Sequence, residues 1–371
     1  MSQHFCTFEH VVIDGSNPRD PHCKAVADLD GDGEPDVAAA SAREGGLYWY
    51  RGQEWTKCKI ADGSFTTDMT IADMNGDGFG DIVIPSHEGL MIYRNPCGAG
   101  KDPSADTWEA INISDEGAKM HNVEAVDLNG DGRLDLVTRH QSGFNHLMGN
   151  RIYLWFQRSA SEWSMRTFEC PHGEGLAVAD IDGDGFADVV IGGRWYRNPD
   201  GDPDGTWQEC RYMPEEHFDT CWTQGDVMVQ AGDVDGDGRL EIVLTPSEGA
   251  GRLAWYAAPD DPTQPEWVEH VIEADMDHSH GLALGDVDGD GQLDVVVAKM
   301  HQASSPQSVA VYYNDGEGAS WSRQEVARTG SHSIRLAEFG GSGRLSLVGA
   351  NWNDAAPTGG VIEAWINRGQ Q

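Results

Sequence analysis

The sequence predicts an all-β, seven-bladed propeller. Three observations predict it: an acidic loop repeated along the whole chain, a near-constant spacing between copies, and strand-like segments filling each interval. The loop reads Asp, any residue, Asp or Asn, Gly, Asp, Gly, two variable positions, then Asp or Glu. Its copies run 28–36, 73–81, 127–135, 180–188, 233–241 and 286–294. An eroded seventh copy, 338–346, reads Glu-Phe-Gly-Gly-Ser-Gly-Arg-Leu-Ser. The first residues of the copies lie 45, 54, 53, 53, 53 and 52 positions apart, so the whole chain of 371 residues is one repeat array and one domain.

The loop itself comes first. Positions one, three, five and nine supply hard oxygen donors, which at this density suit Ca²⁺. The donors are Asp28, Asp30, Asp32 and Asp36 in the first copy, then Asp73, Asn75, Asp77 and Asp81 in the second. Asp127, Asn129, Asp131 and Asp135 follow, then Asp180, Asp182, Asp184 and Asp188. The fifth and sixth sets are Asp233, Asp235, Asp237, Glu241 and Asp286, Asp288, Asp290, Asp294. The spacing copies the first half of an EF-hand loop, without the bidentate Glu at position twelve. Its flanks are apolar runs such as Leu282-Ala-Leu284 and Val295-Val-Val297, so it joins strands rather than helices. A structural staple is the expected role, with calcium sensing as the alternative.

Inner strands and loops are expected near 22–36, 67–81, 121–135, 174–188, 227–241, 280–294 and 332–346. Each loop leads into a short second strand and then an aromatic third strand such as Leu47-Tyr-Trp-Tyr50. A turn rich in Asn, Asp, Gly and Pro follows, then a Trp-led fourth strand at Trp108, Trp163, Trp207, Trp267 or Trp321. The start of the chain, residues 1–14, resembles a fourth strand, whereas the end stops after a third. The N-terminal segment is therefore expected to complete blade seven and remove two open edges. Arg51, Arg94 and Arg197 close third strands near turns and read as solvated.

Composition narrows the partners. The formal charge is −37, from 62 acids against 25 bases, and six Ca²⁺ would still leave −25. That excludes nucleic acid and anionic membrane as natural partners. No apolar run is long enough to span a bilayer. No leader is visible, and a cytoplasmic location is expected, although a secreted or periplasmic protein trimmed of its leader would read the same. Seven cysteines with no CxxC argue against structural zinc and redox motifs, and buried thiols are expected.

The functional signal lies six residues before each loop. That position reads His22, Thr67, His121, Glu174, Val227, His280 and His332 through the seven blades, with His172 and His278 two residues earlier. The connection between strands two and three opens on the same face of the disc and adds Arg43, His87, His140, His146, Arg194 and His301. Histidine exchanges protons near neutral pH and is a common metal ligand. His22, His280 and His332 belong to neighbouring blades and could hold Zn²⁺ or Mn²⁺. His121 and Glu174 face them as base and acid, and Arg194 could stabilise an enolate. Asp68 and Asp226 also precede inner strands, and Trp222 could stack on a sugar. Any one such histidine is as well explained by a hydrogen bond to backbone in a polar channel. The set at one repeat phase is not.

The loops and blade layout resemble the FG-GAP or VCBS repeat family, the integrin-like seven-bladed propellers, from about residue 8 to 367. That resemblance implies fold and calcium, and little about activity. Met120-His-Asn-Val-Glu124, Pro171-His-Gly-Glu-Gly175 and His278-Ser-His-Gly-Leu-Ala283 resemble the propeller part of fungal aldos-2-ulose dehydratase and related carbohydrate lyases. The resemblance implies β-elimination on a sugar or oligosaccharide, with the cupin domains of the dehydratase absent here. His121 or His280 would be base, Glu174 or His172 acid, and Arg194 or a metal the enolate stabiliser. His87, His140, His146, His301, Arg43, Asp68 and Trp222 would contact substrate. The alternatives are a carbohydrate-binding or adhesion propeller and a scaffold for a partner protein. Unusual residues that differ from blade to blade favour one asymmetric site, hence an enzyme. Oligomeric state leaves no trace in the sequence.

Overall fold

The computed structural model describes residues 5–16, 19–21, 23–66, 68–115, 120–140, 150–213, 226–304, 306–352 and 359–370. Among these residues the chain forms seven antiparallel four-stranded sheets. The inner strands are Cys23–Ala27, Thr70–Ala72, Met120–Val126, Ala177–Ala179, Val227–Gly232, Gly281–Gly285 and Ser333–Glu338. Each touches the next and the last touches the first, so they ring a central channel. The protein is a seven-bladed β-propeller. Cys6–Asp14 pairs with Ile362–Gln370 and forms the outer strand of blade seven. No helix among the described residues is long and apolar enough to cross a membrane.

The second strands show why the blades stack. Asp36–Ala40, Asp81–Pro85 and Asp294–Ala298 are buried at every position, because both faces of a blade lie against its neighbours. The outer strand Thr56–Ala61, by contrast, fully buries only Cys58. The apolar core is divided among the seams between blades. Leu29 and Trp49 of blade one, for example, pack with Met69 and Ile82 of blade two. Burying such faces is what drives the ring together.

Each acidic loop is wound around its first aspartate. Asp28 accepts backbone N–H bonds from Gly31, Asp32 and Gly33 at 2.7–3.2 Å. The sixth position takes φ between 83° and 94° in all six full copies, a left-handed conformation that glycine adopts without strain.

The ninth-position acid has a separate structural task. Asp81 accepts from Met74 N at 3.2 Å and from Asn95 N at 2.8 Å, tying the loop to the end of the third strand. The Asn95 side chain then reaches the previous blade and donates to Leu29 O at 2.8 Å. The same amide latch recurs as Gln157 to Met74 O, Asn198 to Leu128 O, Asn314 to Val234 O and Asn367 to Val287 O, all at 2.8–2.9 Å. In the eroded seventh loop, Ser346 Oγ replaces the acid and accepts from Asn367 N at 3.0 Å. Blades one and five carry Gly52 and Ala258 at the latch position and have no amide to offer. Asn95→Ala should leave the Leu29 carbonyl with only the weak Cys97 thiol donor at 3.7 Å and cost about 1–3 kcal/mol in urea unfolding. A loss within error would show that apolar packing alone holds that seam.

Of the three arginines, Arg94 departs most from the solvated place expected for it. Arg94 is buried, with Nη1 2.7 Å from Asp81 and Nη2 donating to Ala160 O at 3.1 Å. Arg51 lies 2.7 Å from Asp30, and Arg197 pairs with Asp182 and Asp184. The third strand ends beside the loop of its own blade, so these side chains fold back onto loop carboxylates; Arg197 is half-buried there, and Arg51 stays exposed, as expected.

Candidate active site

Inner strands begin at the mouth opposite the acidic loops, and there the channel gathers its titratable groups. His121 comes from the inner strand of blade three. Glu174 comes from the bend 171–175 before the inner strand of blade four, and His280 from just before that of blade six. His121 Nε2 lies 3.0 Å from Glu174 Oε2, and His280 Nε2 lies 3.4 Å from Glu174 Oε1. All three are buried, and their donor atoms lie within 4.8 Å of one another. His280 Nδ1 faces His332 O at 2.8 Å, and the two rings are 3.9 Å apart.

The bend that carries Glu174 is held by its neighbours. The buried guanidinium of Arg139 donates to the carbonyls of Pro171, Glu174 and Gly175. Asn122 Oδ1 accepts from Gly175 N at 3.1 Å and sits 3.1 Å from His121 Nδ1. One amide thus sets both the ring of His121 and the backbone behind Glu174, and a backbone bridge joins Glu174 to Asp226. Preorganisation of this kind fixes a reacting group without reorganisation during the reaction.

Electrostatics polarise the cluster. Burial works against the charge of Glu174, but the His280 and His121 imidazoles hold its carboxyl well below the usual range. Burial likewise opposes charge on His280, yet the Glu174 carboxylate raises its pKa. Glu174 is therefore ionised and His280 tends to imidazolium, which suits a proton acceptor or metal ligand better than the acid role expected for Glu174. A further acid stands nearby. Glu248, half-buried in the second connection of blade five, is pushed up to about 7 by burial and by the negative charge of Glu174. Gln302 Nε2 donates to it at 3.2 Å.

Other expected residues are placed as follows. His332 is buried and stacks on His280, but its ring nitrogens do not join the His121–Glu174–His280 donor set. The expected trio of His22, His280 and His332 includes His22, which lies outside the described residues; among the described residues the set that converges is His121, Glu174 and His280. His301 lies 5.3 Å from Trp352, whose ring is also 5.9 Å from His332 and 5.3 Å below the Arg43 guanidinium. Arg43 is anchored to Asp20 at 3.0 Å. His140 is buried edge-on to Tyr153, and His172 is half-buried on the bend. His278 adopts φ 45°, unusual for a non-glycine residue. His87 is exposed in a separate groove with Asp62, Phe65 and Tyr93. Arg194 binds Glu209 on the outer strand at 3.1 Å, so the structure does not bring it to the cluster. His22, His146 and Trp222 lie outside the described residues.

Sequence reasoning missed a second layer. Three residues before each loop the chain reads Ala25, Thr70, Glu124, Ala177, Gln230, Ala283 and Arg335. Thr70, Glu124, Gln230 and Arg335 line a channel cavity of about 350 Å³ that also reaches His121 and His280. Arg335 Nη2 lies 2.6 Å from Asp68, joining blades seven and two across the channel. The repeat phase that exposes the histidines exposes this layer too, once moved three residues along.

At the other face, carboxylates converge in the loops. Asp28, Asp30 and Asp32 bring oxygens within 4.8 Å of one another, as do Asp180, Asp182 and Asp188, then Asp233, Asp235 and Glu241, then Asp286, Asp288 and Asp290. Loops 73–81 and 127–135 carry Asn75 and Asn129, and Asp73 and Asp127 accept the same glycine N–H bonds as Asp28. Burial pushes Asp36, Asp188 and Asp294 up to about 7, an opposition to charge that a bound cation relieves. The donor chemistry fits Ca²⁺.

Comparison with known proteins agrees with the architecture. The FG-GAP-like repeat profile matches residues 28–84, 73–138 and 233–297, and the FG-GAP repeat profile matches 172–205. Integrin alpha-PS2 of Drosophila melanogaster is 26% identical over 220 residues, covering 52% of this chain and 16% of the integrin chain. The chain thus spans about a sixth of that relative. BBS1N, solved in complex with ARL6DN, has a TM-score of 0.57 at 14% identity and covers 99% of this chain and 98% of its own. YCF48 from Cyanidioschyzon merolae scores 0.55 at 13% identity, covering 96% and 98%. At such identities the likeness to solved structures shows the fold alone.

Proposed function

The chain belongs to the FG-GAP repeat family, and from that premise we propose that it is a carbohydrate lyase or dehydratase working at the channel mouth. The observation that carries the reading is the His121–Glu174–His280 cluster, one buried and asymmetric centre in a sevenfold scaffold. The ionised Glu174 takes the proton next to a sugar carbonyl or carboxylate, since both ring nitrogens of His121 already face acceptors, Nε2 the Glu174 carboxylate and Nδ1 the Asn122 amide oxygen. His280, charged beside Glu174, faces the enolate oxygen. Glu248 gives its proton to the hydroxyl or glycosidic oxygen that leaves from the β carbon, and an α,β-unsaturated product results. Proton exchange with water resets both groups.

His121, Glu174 and His280 also form a two-nitrogen, one-carboxylate set suited to Zn²⁺ or Mn²⁺. Such an ion would supply Lewis-acid stabilisation of the enolate when bound. The acidic loops hold Ca²⁺ as staples in this reading. A second reading, a carbohydrate-binding or adhesion propeller without catalysis, is supported by the likeness to an integrin alpha chain.

The test is a pH profile. Glu248 acts in its protonated form, so kcat for a neutral sugar, followed by ultraviolet absorbance of the conjugated product, should fall as pH rises through about 7. Glu248→Gln should remove that alkaline limb and lower kcat by about 10²-fold or more. No conjugated product from any of a panel of neutral sugars and oligosaccharides, with sugar binding intact, would favour the binding propeller.

A further inference from the structure

Below the mouth, the channel cavity of about 350 Å³ is walled by side chains of mixed character. Apolar residues such as Leu282 and Leu336 alternate with the polar layer of Thr70, Glu124, Gln230 and Arg335. The volume lies at the small end of the range of roughly 300–1,000 Å³ for small-molecule sites, so it suits one sugar ring rather than a chain. Apolar wall facing ring C–H groups, and polar groups facing hydroxyls, is how proteins take up a pyranose.

The charges on this wall are already balanced. Arg335 Nη2 is 2.6 Å from Asp68 Oδ1, and Nη1 donates to Ile334 O at 3.0 Å. Asp68 Oδ2 is also 3.5 Å from both Asn122 Nδ2 and Val123 N. Glu124 is pushed up to about 8 by burial and by the negative charge of Asp68, so it offers an O–H at neutral pH. An anionic ligand would meet Asp68 beside Arg335, the one Lys or Arg among the described lining residues, inside a protein of formal charge −37. A cationic ligand would meet Arg335. We propose that the channel below His121 and His280 is a selective subsite for a neutral monosaccharide-sized ring, with the Asp68–Arg335 pair rejecting acidic sugars. The inference rests on the carbohydrate reading above and narrows it to uncharged sugars, against the uronates on which eliminations also occur.

The experiment is calorimetric titration, which needs no turnover and so separates this subsite from the catalytic reading. D-glucose, D-galactose and D-mannose serve as neutral probes and D-glucuronate as the acidic one. The best neutral probe should bind about tenfold or more tighter than D-glucuronate, the discrimination expected of a site built partly by rejection. Asp68→Asn frees the Arg335 charge and should tighten D-glucuronate by about tenfold. Gln230→Leu leaves the ion pair alone, and should weaken the neutral probe by about fivefold through loss of a hydrogen bond. The proposal is overturned if none of the neutral probes binds, or if D-glucuronate binds the native protein as well as they do. It is equally overturned if neither substitution changes any affinity. Sugar binding with this pattern but no elimination product would leave the subsite standing and remove the lyase reading.

Discussion

Glu174→Gln should abolish most turnover, lowering kcat/KM by about 10²–10⁴-fold while the propeller stays folded. The carboxylate contacts both imidazoles, 3.0 Å from His121 Nε2 and 3.4 Å from His280 Nε2. Gln keeps its shape, so Arg139 and Asn122 still hold the bend. What changes is charge. Without the carboxylate, His280 loses the interaction that raises its pKa, and burial then drives it neutral. The His280 imidazole should therefore titrate at lower pH in the variant, a shift that NMR of the ring protons would read directly. A merely structural Glu174 would alter thermal stability without moving the chemistry. Turnover within threefold of native in Glu174→Gln, together with an unshifted His280, would remove the cluster from the mechanism.

Calcium removal should have the largest effect on stability. Chelation with EGTA at low salt is expected to lower Tm by at least ~10 °C, because each occupied loop contributes of order 2–3 kcal/mol at ion concentrations well above Kd. Without cations, the loops would place three acids within 4.8 Å of one another in at least four blades of a chain already at −37. Readdition of Ca²⁺ should restore Tm, and Mg²⁺ should do so poorly, since it dehydrates reluctantly and demands stricter geometry. Elemental analysis of unchelated protein should give about six Ca²⁺, one for each full loop. It should also give one Zn²⁺ or Mn²⁺ that His280→Ala loses, if the His121–Glu174–His280 set holds metal. Thermal curves that superpose with and without chelator would sink the staple role.

The fold was legible because repetition announces itself. Six loops at a near-fixed interval define the blades, and the Trp-led and aromatic segments supply the outer strands. The histidines were legible for the same reason, since residues at one repeat phase occupy equivalent places around an axis. Phase does not show which of them touch. That depends on how far each side chain reaches across the channel and on bends such as 171–175, where Glu174 leaves the strand register. Glu248 was hidden because the connections between second and third strands differ in length, so no phase aligns them. Arg139 looks like an ordinary strand residue, and only the fold reveals the three carbonyls it gathers. Arg94 was misread because a charged residue at the end of a strand is usually solvated, whereas here the neighbouring blade covers it.

The amide latches have a mechanical consequence. They couple blade one to two, two to three and three to four, and then five to six and six to seven. Where Gly52 and Ala258 stand, at the junctions of seven with one and four with five, that coupling is missing. The latches thus group the blades as an arc of four and an arc of three, and other contacts take over between the arcs. Lys24 Nζ donates to Ser333 Oγ at 2.9 Å and Tyr50 Oη to Asp14 at 2.7 Å across the seven–one seam, and apolar packing fills the four–five seam. His121, Glu174 and Asp68 ride on the first arc, His280 and Arg335 on the second. The His280–Glu174 and Arg335–Asp68 contacts span the two arcs, so the cluster and the subsite each draw residues from both.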